Sequence, residues 1–240
     1  MTASTSPATF GLLGLLAARP QTGYELTTQM RRSLRFVWPV SEAHLYREQR
    51  KLVALGWATS DEEPAGRRTR KRYTITPAGR AALAAWLESE PEEPQLHVEG
   101  LLRLFNADRS TPVALAASAT ATAEAARAAV AALAAIAAEY LETGGPLELL
   151  ERGVGGAGDR REFHGRQVLP ERLPVVALTA DLTSELLDRI DSMFTELAAA
   201  AAAWSSLDDV SSAETRSRLE AVVSRSRQPA NTPGAAEPQE

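Results

Sequence analysis

The sequence predicts a mainly α-helical protein: an N-terminal head of three helices, a two-stranded β-hairpin and a fourth helix, followed by a longer helical part. Three observations predict this fold class. Apolar residues recur at helical spacing between capping residues and glycine or proline breaks. Residues 57–75 have a strand–turn–strand pattern. Residues 173–204 carry an apolar heptad repeat, which is typical of helices that pack along their length.

The composition is that of a globular protein, with 44% hydrophobic and 24% charged residues in a chain of 240. The absence of cysteine excludes disulfides, thiolate metal sites and thiol nucleophiles. The first residues show no basic segment followed by an apolar run, so no secretion signal is expected. The apolar residues 10–18 are fewer than the ~20 that span a bilayer. We therefore expect a cytoplasmic protein that binds no membrane.

The chain divides by composition into four segments. Residues 1–8, rich in Ser, Thr and Pro, and residues 226–240, rich in Pro and polar residues, are predicted to be disordered. Residues 9–90 form the predicted head, which ends at a run of prolines and glutamates. Residues 91–225 form the predicted helical dimerisation part, interrupted by a flexible glycine-rich loop at 143–170.

The first two helices of the head have clear signals. Residues 10–18 form a short apolar helix. Thr22 and Glu25 have the separation of a capping box, which starts the second helix. The expected buried face of this helix consists of Leu26, Met30 and Leu34.

The third helix, the hairpin and the fourth helix complete the head. Ser41 is the predicted N-cap of the third helix, and Gly56 fits the left-handed position that ends it. Thr76 and Pro77 start the fourth helix, as its N-cap and first residue. The expected buried residues are Leu45, Leu52 and Leu55 in the third helix and Leu83, Trp86 and Leu87 in the fourth. This order of elements is that of a winged helix-turn-helix domain, with the hairpin as the wing.

Charge is divided unevenly along the chain. Residues 1–90 hold 13 basic and 8 acidic side chains, a net charge of +5, whereas residues 91–240 hold 13 and 23, a net charge of −10. The two values add to the overall −5. A basic head on an acidic chain predicts that the head alone faces a polyanion.

The third helix of such a domain enters the major groove of DNA. His44, Arg47 and Lys51 follow at intervals of three and four, so they share a face away from the buried leucines. Arg50 lies beside them. Arg and Lys can bind guanine or neutralise phosphates, and Ser41 at the helix start can bind a phosphate. The alternative is an ordinary solvated helix face.

The wing is the second basic element, because residues 67–72 hold five positive charges in six positions. The candidate DNA-binding residues there are Arg67, Arg68, Arg70, Lys71 and Arg72. Arginines on a wing suit the narrow minor groove and its phosphates, and a solubilising loop is the alternative. For the acidic residues at the start of the same turn, the sequence predicts no role beyond solubility. These residues are Asp61, Glu62 and Glu63.

Residues 12–87 resemble the PadR family of winged-helix regulators. The matching stretches are LLGLLAARPQTGYEL (12–26), WPVSEAHLY (38–46), LVALGW (52–57) and RKRYTITPAGRAALAAWL (70–87). The resemblance implies a dimeric regulator in which Ser41, Tyr46 and the wing arginines approach DNA. From spacing alone, Tyr46 could instead pack into the head beside Leu45. Repression is the usual mode that the resemblance implies, although the longer members with a helical extension include activators.

The strongest pattern in the C-terminal part is a seam of apolar residues spaced alternately by four and three over four heptads. The seam consists of Val176, Ala180, Thr183, Leu187, Ile190, Phe194, Leu197, Ala201 and Trp204. It could pack within the subunit, against the alanine-rich residues 111–142, or across a two-fold axis. The resemblance favours a partner chain. A symmetric homodimer would bind two half-sites and hence a pseudo-palindromic operator.

Three other functional hypotheses compete with this one. An enzyme is disfavoured, and no metal or cofactor is expected, because the histidines are scattered and no nucleotide-binding, metal or nucleophile motif is present. A winged-helix protein-interaction adaptor without specific DNA binding is the main alternative, although the basic wing argues against it. A small-molecule effector is the third hypothesis, with aromatic side chains lining its pocket. The candidates for that lining are Trp38, Trp86, Trp204 and Phe105.

Overall fold

The computed structural model describes residues 5–65, 68–153, 161–164, 166–206 and 210–227. The helices are α1 (Pro7–Ala18), α2 (Gly23–Ser33), α3 (Glu42–Ala54), α4 (Pro77–Glu88), α5 (Glu99–Phe105), α6 (Pro112–Leu141), α7 (Pro146–Glu151), α8 (Leu173–Ala202) and α9 (Ser212–Arg227). The strands are β1 (Gln21–Thr22), β2 (Ala58–Ala65), β3 (Arg68–Ile75), β4 (Arg161–Phe163) and β5 (Arg166–Val168). This confirms the predicted fold class, a mainly α-helical protein with an N-terminal winged helix-turn-helix.

The wing has one strand more than the two predicted. Strands β2 and β3 form the expected antiparallel hairpin, with Ala58 opposite Ile75 and Ala65 opposite Arg68. The short strand β1 adds to the other edge of β3, so the order is β1–β3–β2. Because β1 leads directly into α2, the sheet joins the wing to the helix-turn-helix.

The helix boundaries in the head follow the predicted capping residues. Thr22 and Glu25 form the full capping box, in which Glu25 N donates to Thr22 Oγ1 at 3.2 Å and Thr22 N donates to Glu25 Oε2 at 2.6 Å. Thr76 caps α4 by accepting from Gly79 N at 3.1 Å. Gly56 has a φ of 69°, the left-handed conformation expected after α3. These local predictions are confirmed.

The core of the head is formed by apolar side chains of α1, α2, α3 and β3. Its fully buried large residues include Leu12, Leu13, Leu16, Leu26, Leu45 and Leu52. Three predicted core residues are wrong, since Leu55 is 36% exposed, Leu87 is 68% exposed and Trp86 is exposed as well. Leu55 lies in the C-cap position of α3, past the last turn that faces the core. Trp86 is 40% exposed, although one ring face stacks on Phe10 with centroids 4.8 Å apart.

The chain separates into two compact units. The first comprises Met1–Leu96 and Ala126–Arg189, and the second comprises His97–Ala125 and Ile190–Glu240. In the first unit the winged head contacts the later segments of that unit directly. Arg32 Nη2 donates to Glu139 Oε2 at 2.6 Å, and Arg172 Nη1 donates to the Gly14 carbonyl at 3.2 Å.

In the second unit, α5, the start of α6 and the end of α8 pack together. Phe194 is buried against Ala119 and Ala123 of α6. A Cβ added at Gly100 would lie 2.7 Å from Cε1 of Phe194, so α5 approaches α8 closely at this point. A second cluster joins Leu115 of α6 to Ala201, and its partly buried members are Ala116, Leu197 and Trp204.

Three segments that were predicted to be disordered or flexible are in part regular secondary structure. The loop predicted at 143–170 contains α7 and the hairpin of β4 and β5, whereas residues 154–160 and 165 lie outside the described residues. Helix α1 already begins at Pro7, and α9 extends to Arg227. The remaining residues predicted to be disordered, 1–4 and 228–240, lie outside the described residues. The domain boundaries at residues 9–90 and 91–225 stay predictions.

Helix α6 is long and apolar enough to cross a membrane, judged by length and composition alone, and it is the one such helix in the described part of the chain. The core helix of a soluble protein passes the same test. Helix α6 also carries three charged residues, and Glu139 among them pairs with Arg32 of the head. The other two are Glu124 and Arg127.

Candidate nucleic-acid interface

The candidate recognition helix α3 is held against the head by one face. Leu45 and Leu52 are completely buried on that face, as predicted. Glu48 and Gln49 are buried beside them, which the sequence analysis missed. Their spacing could have predicted this burial, because residues 45, 48, 49 and 52 are separated by three or four positions and share one helix face.

Both buried polar residues bind a neighbouring helix. Thr9 Oγ1 of α1 donates a hydrogen bond to Glu48 Oε2. Gln49 Nε2 donates to the Gly23 carbonyl and to Thr27 Oγ1, each at 3.0 Å. Because hydrogen bonds are directional, these contacts fix the rotation of α3 about its axis more tightly than apolar packing alone.

The opposite face of α3 presents part of the predicted DNA-binding set to solvent. Arg47, Arg50 and Tyr46 are exposed, and Tyr46 is 39% exposed. The Nη2 atom of Arg47 lies 3.2 Å from Nδ1 of His44. The structure therefore leaves two arginines and one tyrosine hydroxyl available on the surface of α3.

Two other members of the predicted DNA-binding set, His44 and Lys51, lie close to the buried carboxylate of Glu48. His44 Nε2 lies 3.7 Å from Glu48 Oε1, and Lys51 Nζ lies 3.8 Å from Glu48 Oε2. Their side chains are 30% and 21% exposed, respectively. Ser41 is the N-cap and accepts from His44 N at 3.3 Å, which leaves its hydroxyl hydrogen free to donate.

The wing places acidic residues directly opposite the predicted basic ones. Asp61 faces Arg72, Glu62 faces Lys71 and Glu63 faces Arg70 in the antiparallel register. Residues directly opposite each other in such a pair share a face of the sheet. The acidic residues that the sequence analysis left unexplained are thus the cross-strand partners of the wing bases.

Glu63 is bound by two arginines. Arg72 donates from Nε to Glu63 Oε2 at 2.7 Å and from Nη2 to Glu63 Oε1 at 2.9 Å, and Arg70 Nε donates to Oε1 as well. The hydrogen bonds from Arg72, reinforced by those from Arg70, lower the pKa of Glu63 to about 2. Its carboxylate is therefore charged at neutral pH.

Arg72 also connects the wing to the rest of the head. Its Nη1 lies 3.8 Å from Glu25 Oε2 and donates to the Pro20 carbonyl at 3.3 Å. The hydrogen bond to Glu63 raises the pKa of Arg72. Burial opposes the charge of Glu25, but the hydrogen bonds from Thr22 and the charge of Arg72 hold its pKa below the ordinary value. Arg72 is thus bound to structural partners on both sides.

The remaining wing candidates are placed as follows. Arg70 keeps 53% of its side chain exposed despite its bond to Glu63, and Lys71 is exposed. The side chain of Arg68 and the whole of Arg67 lie outside the described residues.

The predicted dimerisation seam on α8 is divided. Its second half packs inside the subunit, where the buried or partly buried residues are Ile190, Phe194, Leu197, Ala201 and Trp204. In the first half, Thr183 is buried, whereas Val176, Ala180 and Leu187 are half-buried. A different row on α8, next to the seam and spaced by four, is exposed: Leu178, Leu182 and Leu186 are 60–63% exposed.

Two of the aromatic side chains expected to line an effector pocket pack in different clusters, and the other two are exposed. Trp86 stacks on Phe10, and Trp204 joins the cluster around Ala201. Phe105 is 83% exposed and Trp38 is 44% exposed. Within the described residues, no group of three or more acidic or histidine side chains is arranged to hold a metal ion.

Comparison with known proteins gives a family-model match to the head and sequence matches to curated proteins. A family model described as "Transcriptional regulator PadR-like family" matches residues 12–85. The "Probable transcriptional regulator Rv1176c" of Mycobacterium tuberculosis is 30% identical over 105 residues, which are 43% of this chain and 55% of that protein. The "Negative transcriptional regulator PadR" of Bacillus subtilis is 30% identical over 79 residues, 32% of this chain and 43% of that protein. The chain thus spans about half the length of these curated relatives.

Solved structures extend the likeness beyond the head. The smu.1604c protein of Streptococcus mutans UA159 has a TM-score of 0.61 and 18% identity, covering 80% of this chain and 98% of its own. Bacillus subtilis PadR in complex with operator DNA has a TM-score of 0.57 and 17% identity over 80% of this chain and 98% of its own. The same protein in complex with p-coumaric acid has a TM-score of 0.53 and 19% identity over 80% and 97%. At these identities the likeness shows the fold.

The winged fold, the match to the family model and the similarity to the two curated relatives agree with each other. Residues 12–85 of this chain are therefore similar to the PadR-like family of transcriptional regulators.

Proposed function

We propose that this protein is a transcriptional regulator that binds a pseudo-palindromic operator in duplex DNA as a homodimer. The observation that carries the proposal is the orientation of α3. One face is locked into the head by Leu45, Leu52 and the hydrogen bonds of Glu48 and Gln49. The opposite face presents Arg47 and Arg50 to solvent, as a helix in the major groove requires.

Each exposed group on α3 has a defined chemistry toward DNA. Arg47 and Arg50 can each donate two hydrogen bonds to guanine O6 and N7, or neutralise a phosphate. The hydroxyls of Tyr46 and Ser41 can donate to phosphate oxygens and fix the register of the helix on the duplex. Lys51, which lies 3.8 Å from Glu48, adds positive charge at the edge of this surface, and His44 lies beside it.

A homodimer follows from the exposed row on α8, consisting of Leu178, Leu182 and Leu186. Contiguous exposed leucines on one helix face are unfavourable in water and mark an interaction surface. A second copy of the chain is the occupant we propose, because two winged heads related by a two-fold axis match an operator with two half-sites. The dimer contact is thus proposed beside the predicted seam, since the second half of that seam is filled inside the subunit.

Regulation by a small molecule and repression are further parts of the proposal. One structural relative, Bacillus subtilis PadR, has been solved with p-coumaric acid, and a sequence relative is named a negative regulator. A small apolar acid that raises the melting temperature of this protein and weakens its DNA binding would identify an effector. We expect the protein in the cytoplasm, associated with the nucleoid, and α6 buried in protein and not in lipid.

An electrophoretic mobility shift assay on the DNA upstream of the protein's own gene tests the proposal. We expect specific binding that survives excess random DNA and weakens with salt, by a slope of about −0.9 in log K against log[salt] for each phosphate contacted. Arg47→Ala and Arg50→Ala should each weaken binding about tenfold or more, since a good arginine–guanine pair contributes about 1–3 kcal/mol. Arg103→Ala is the control, because Arg103 pairs with Glu99 on exposed α5, outside the head.

The adaptor hypothesis remains the second candidate, and the charge balance of the wing favours it. Arg70, Lys71 and Arg72 of the wing each face an acidic residue, which reduces the attraction of these three residues for DNA. Binding to the upstream fragment that is no tighter than binding to random DNA would overturn the regulator and favour the adaptor.

A further inference from the structure

The wing combines a high density of arginine with a matching row of carboxylates. In the stem, Asp61, Glu62 and Glu63 stand opposite Arg72, Lys71 and Arg70, so the three pairs sum to zero formal charge. Glu63 makes direct contacts with two of the three bases, as the two arginines converge on its carboxylate from the same face of the sheet. The three basic residues at positions 70–72 are thus each matched by a carboxylate in the folded stem.

The geometry has a direct consequence for DNA binding. Arg72 uses Nε and Nη2 on Glu63 and Nη1 on the Pro20 carbonyl, which leaves few donors for a phosphate. Arg70 would have to give up its hydrogen bond to Glu63 in order to bind a phosphate with Nε. The carboxylate, only partly exposed, would then stand close to the DNA and repel it.

We infer that Glu63 is a specificity-determining residue of the DNA interaction, acting by neutralising the wing arginines. Its carboxylate neutralises Arg70 and Arg72, which would otherwise attract the phosphates of any DNA sequence. Discrimination between DNA sequences then depends on α3. Specificity is the ratio of operator affinity to random-DNA affinity, and lowering the second raises that ratio without any new base contact. The role in DNA specificity rests on the proposed function. The neutralisation of the arginines by itself should weaken binding to any polyanion.

Glu63→Gln tests the inference, with Glu62→Gln as the matched control. Both changes remove one negative charge from β2, but only Glu63 binds Arg70 and Arg72. The first measurement is the salt concentration at which each variant elutes from a heparin column, and the second is affinity for a random 30-base-pair duplex. We expect E63Q to elute at higher salt and to bind the duplex at least threefold more tightly, with a salt slope steeper by about 0.9 per arginine released. E62Q should change both by less than half as much.

Equal effects of the two substitutions would overturn the inference, because the gain would then come from net charge and not from release of the arginines. An unchanged affinity of E63Q for random DNA and heparin would also overturn it. Circular dichroism at the assay temperature confirms that both variants are folded.

A double-mutant cycle keeps the inference testable if E63Q loosens the wing. Arg70→Gln should weaken random-DNA binding several-fold more in the E63Q background than in the unaltered protein. In the unaltered protein, Arg70→Gln should weaken binding less than Arg47→Gln, because Arg47 pairs with no carboxylate in the described residues. If Arg70→Gln weakens binding as much as Arg47→Gln, Arg70 contacts DNA in spite of Glu63 and the inference fails.

The heparin and random-duplex measurements separate this inference from the proposed function. If the unaltered protein shows no preference for its upstream DNA but E63Q still gains polyanion affinity, the regulator proposal fails and the role of Glu63 stands. If specific binding is found but E63Q leaves the ratio of specific to random affinity unchanged, the regulator proposal stands and the role of Glu63 fails.

Discussion

At the scale of single residues, the orientation of α3 depends on two polar side chains in the core. Gln49 places its Nε2 between the Gly23 carbonyl and the Thr27 hydroxyl. Its Oε1 is buried and has no hydrogen-bond partner among the described residues, and a Cβ added at Gly23 would lie only 2.7 Å from it. A side chain at position 23 would therefore have to displace the end of the Gln49 side chain.

Thr9→Val should destabilise the head through Glu48. Valine has the shape of threonine, but it removes the hydroxyl that donates to the buried Glu48 carboxylate. A buried acceptor that loses its donor costs about 1–3 kcal/mol of unfolding free energy. Urea denaturation measures the change, and Thr195→Val, on the exposed surface of α8, is the control with an expected change within about 0.5 kcal/mol. Equal small changes for both variants would show that Thr9 contributes only packing.

Two glycines in helices should respond in opposite directions to alanine. At Gly79 an added Cβ would lie 2.1 Å from the backbone oxygen of Trp57, so Gly79→Ala must displace the main chain before β2. At Gly14, in α1, nothing lies within 4 Å of an added Cβ, and alanine is a better helix former. We expect a loss of more than about 2 kcal/mol for Gly79→Ala and a gain of about 0.5–1 kcal/mol for Gly14→Ala. Thermal unfolding followed by circular dichroism measures both, and a stable Gly79→Ala protein would contradict the close contact.

At the scale of elements, local signals in the sequence predicted where helices begin and end. They did not predict which residues from distant parts of the chain contact each other. The capping box at Thr22, the N-caps and Gly56 depend on neighbours within four residues, so the sequence predicts them directly. The burial of Glu48 depends on Thr9, which is 39 residues away along the chain. The neutralisation of the wing depends on strand register, which the sequence left open because the turn length was unknown. The sequence therefore did not reveal that Arg70, Lys71 and Arg72 lie opposite acidic residues.

The ion pairs of Glu63 should make the stability of the wing depend on pH at the acid end. The pKa of Glu63 is about 2 in the folded protein, below its ordinary value of 4.5. A depressed pKa means that the folded state favours the charged form, so this stabilisation is complete above pH 4.5 and is lost as pH falls toward 2. The melting temperature of Glu63→Gln should thus lie below that of the unaltered protein at pH 6, with a difference that shrinks between pH 4.5 and pH 2. A difference independent of pH would show that the amide disrupts packing and not an ion pair.

At the scale of the whole molecule, the apolar residues of α8 form two stripes along the helix and not one seam. Each stripe can pack against a different helix. The stripe through Phe194, Leu197 and Ala201 is filled by α5 and α6 within the second unit. The stripe through Leu178, Leu182 and Leu186, in the first unit, is exposed in the single chain. Periodicity located the helix and its apolar sector, but it could not say which stripe is covered by the same chain, because both have helical spacing.

The two stripes make opposite predictions for charged substitutions. Leu182→Glu combined with Leu186→Glu should give a folded monomer, since both side chains already lie mostly in water in the single chain. Phe194→Glu should unfold the second unit, since Phe194 is 4% exposed and a buried unpaired charge costs several kcal/mol. Analytical ultracentrifugation measures the assembly state, and circular dichroism measures the fold. The leucine variant should still bind a single half-site but lose about tenfold or more in affinity for the full operator, because the second head no longer adds its contacts. If the leucine variant sediments as a dimer, the proposed contact is wrong, and a folded, monomeric Phe194→Glu protein would instead place the dimer contact on the predicted seam.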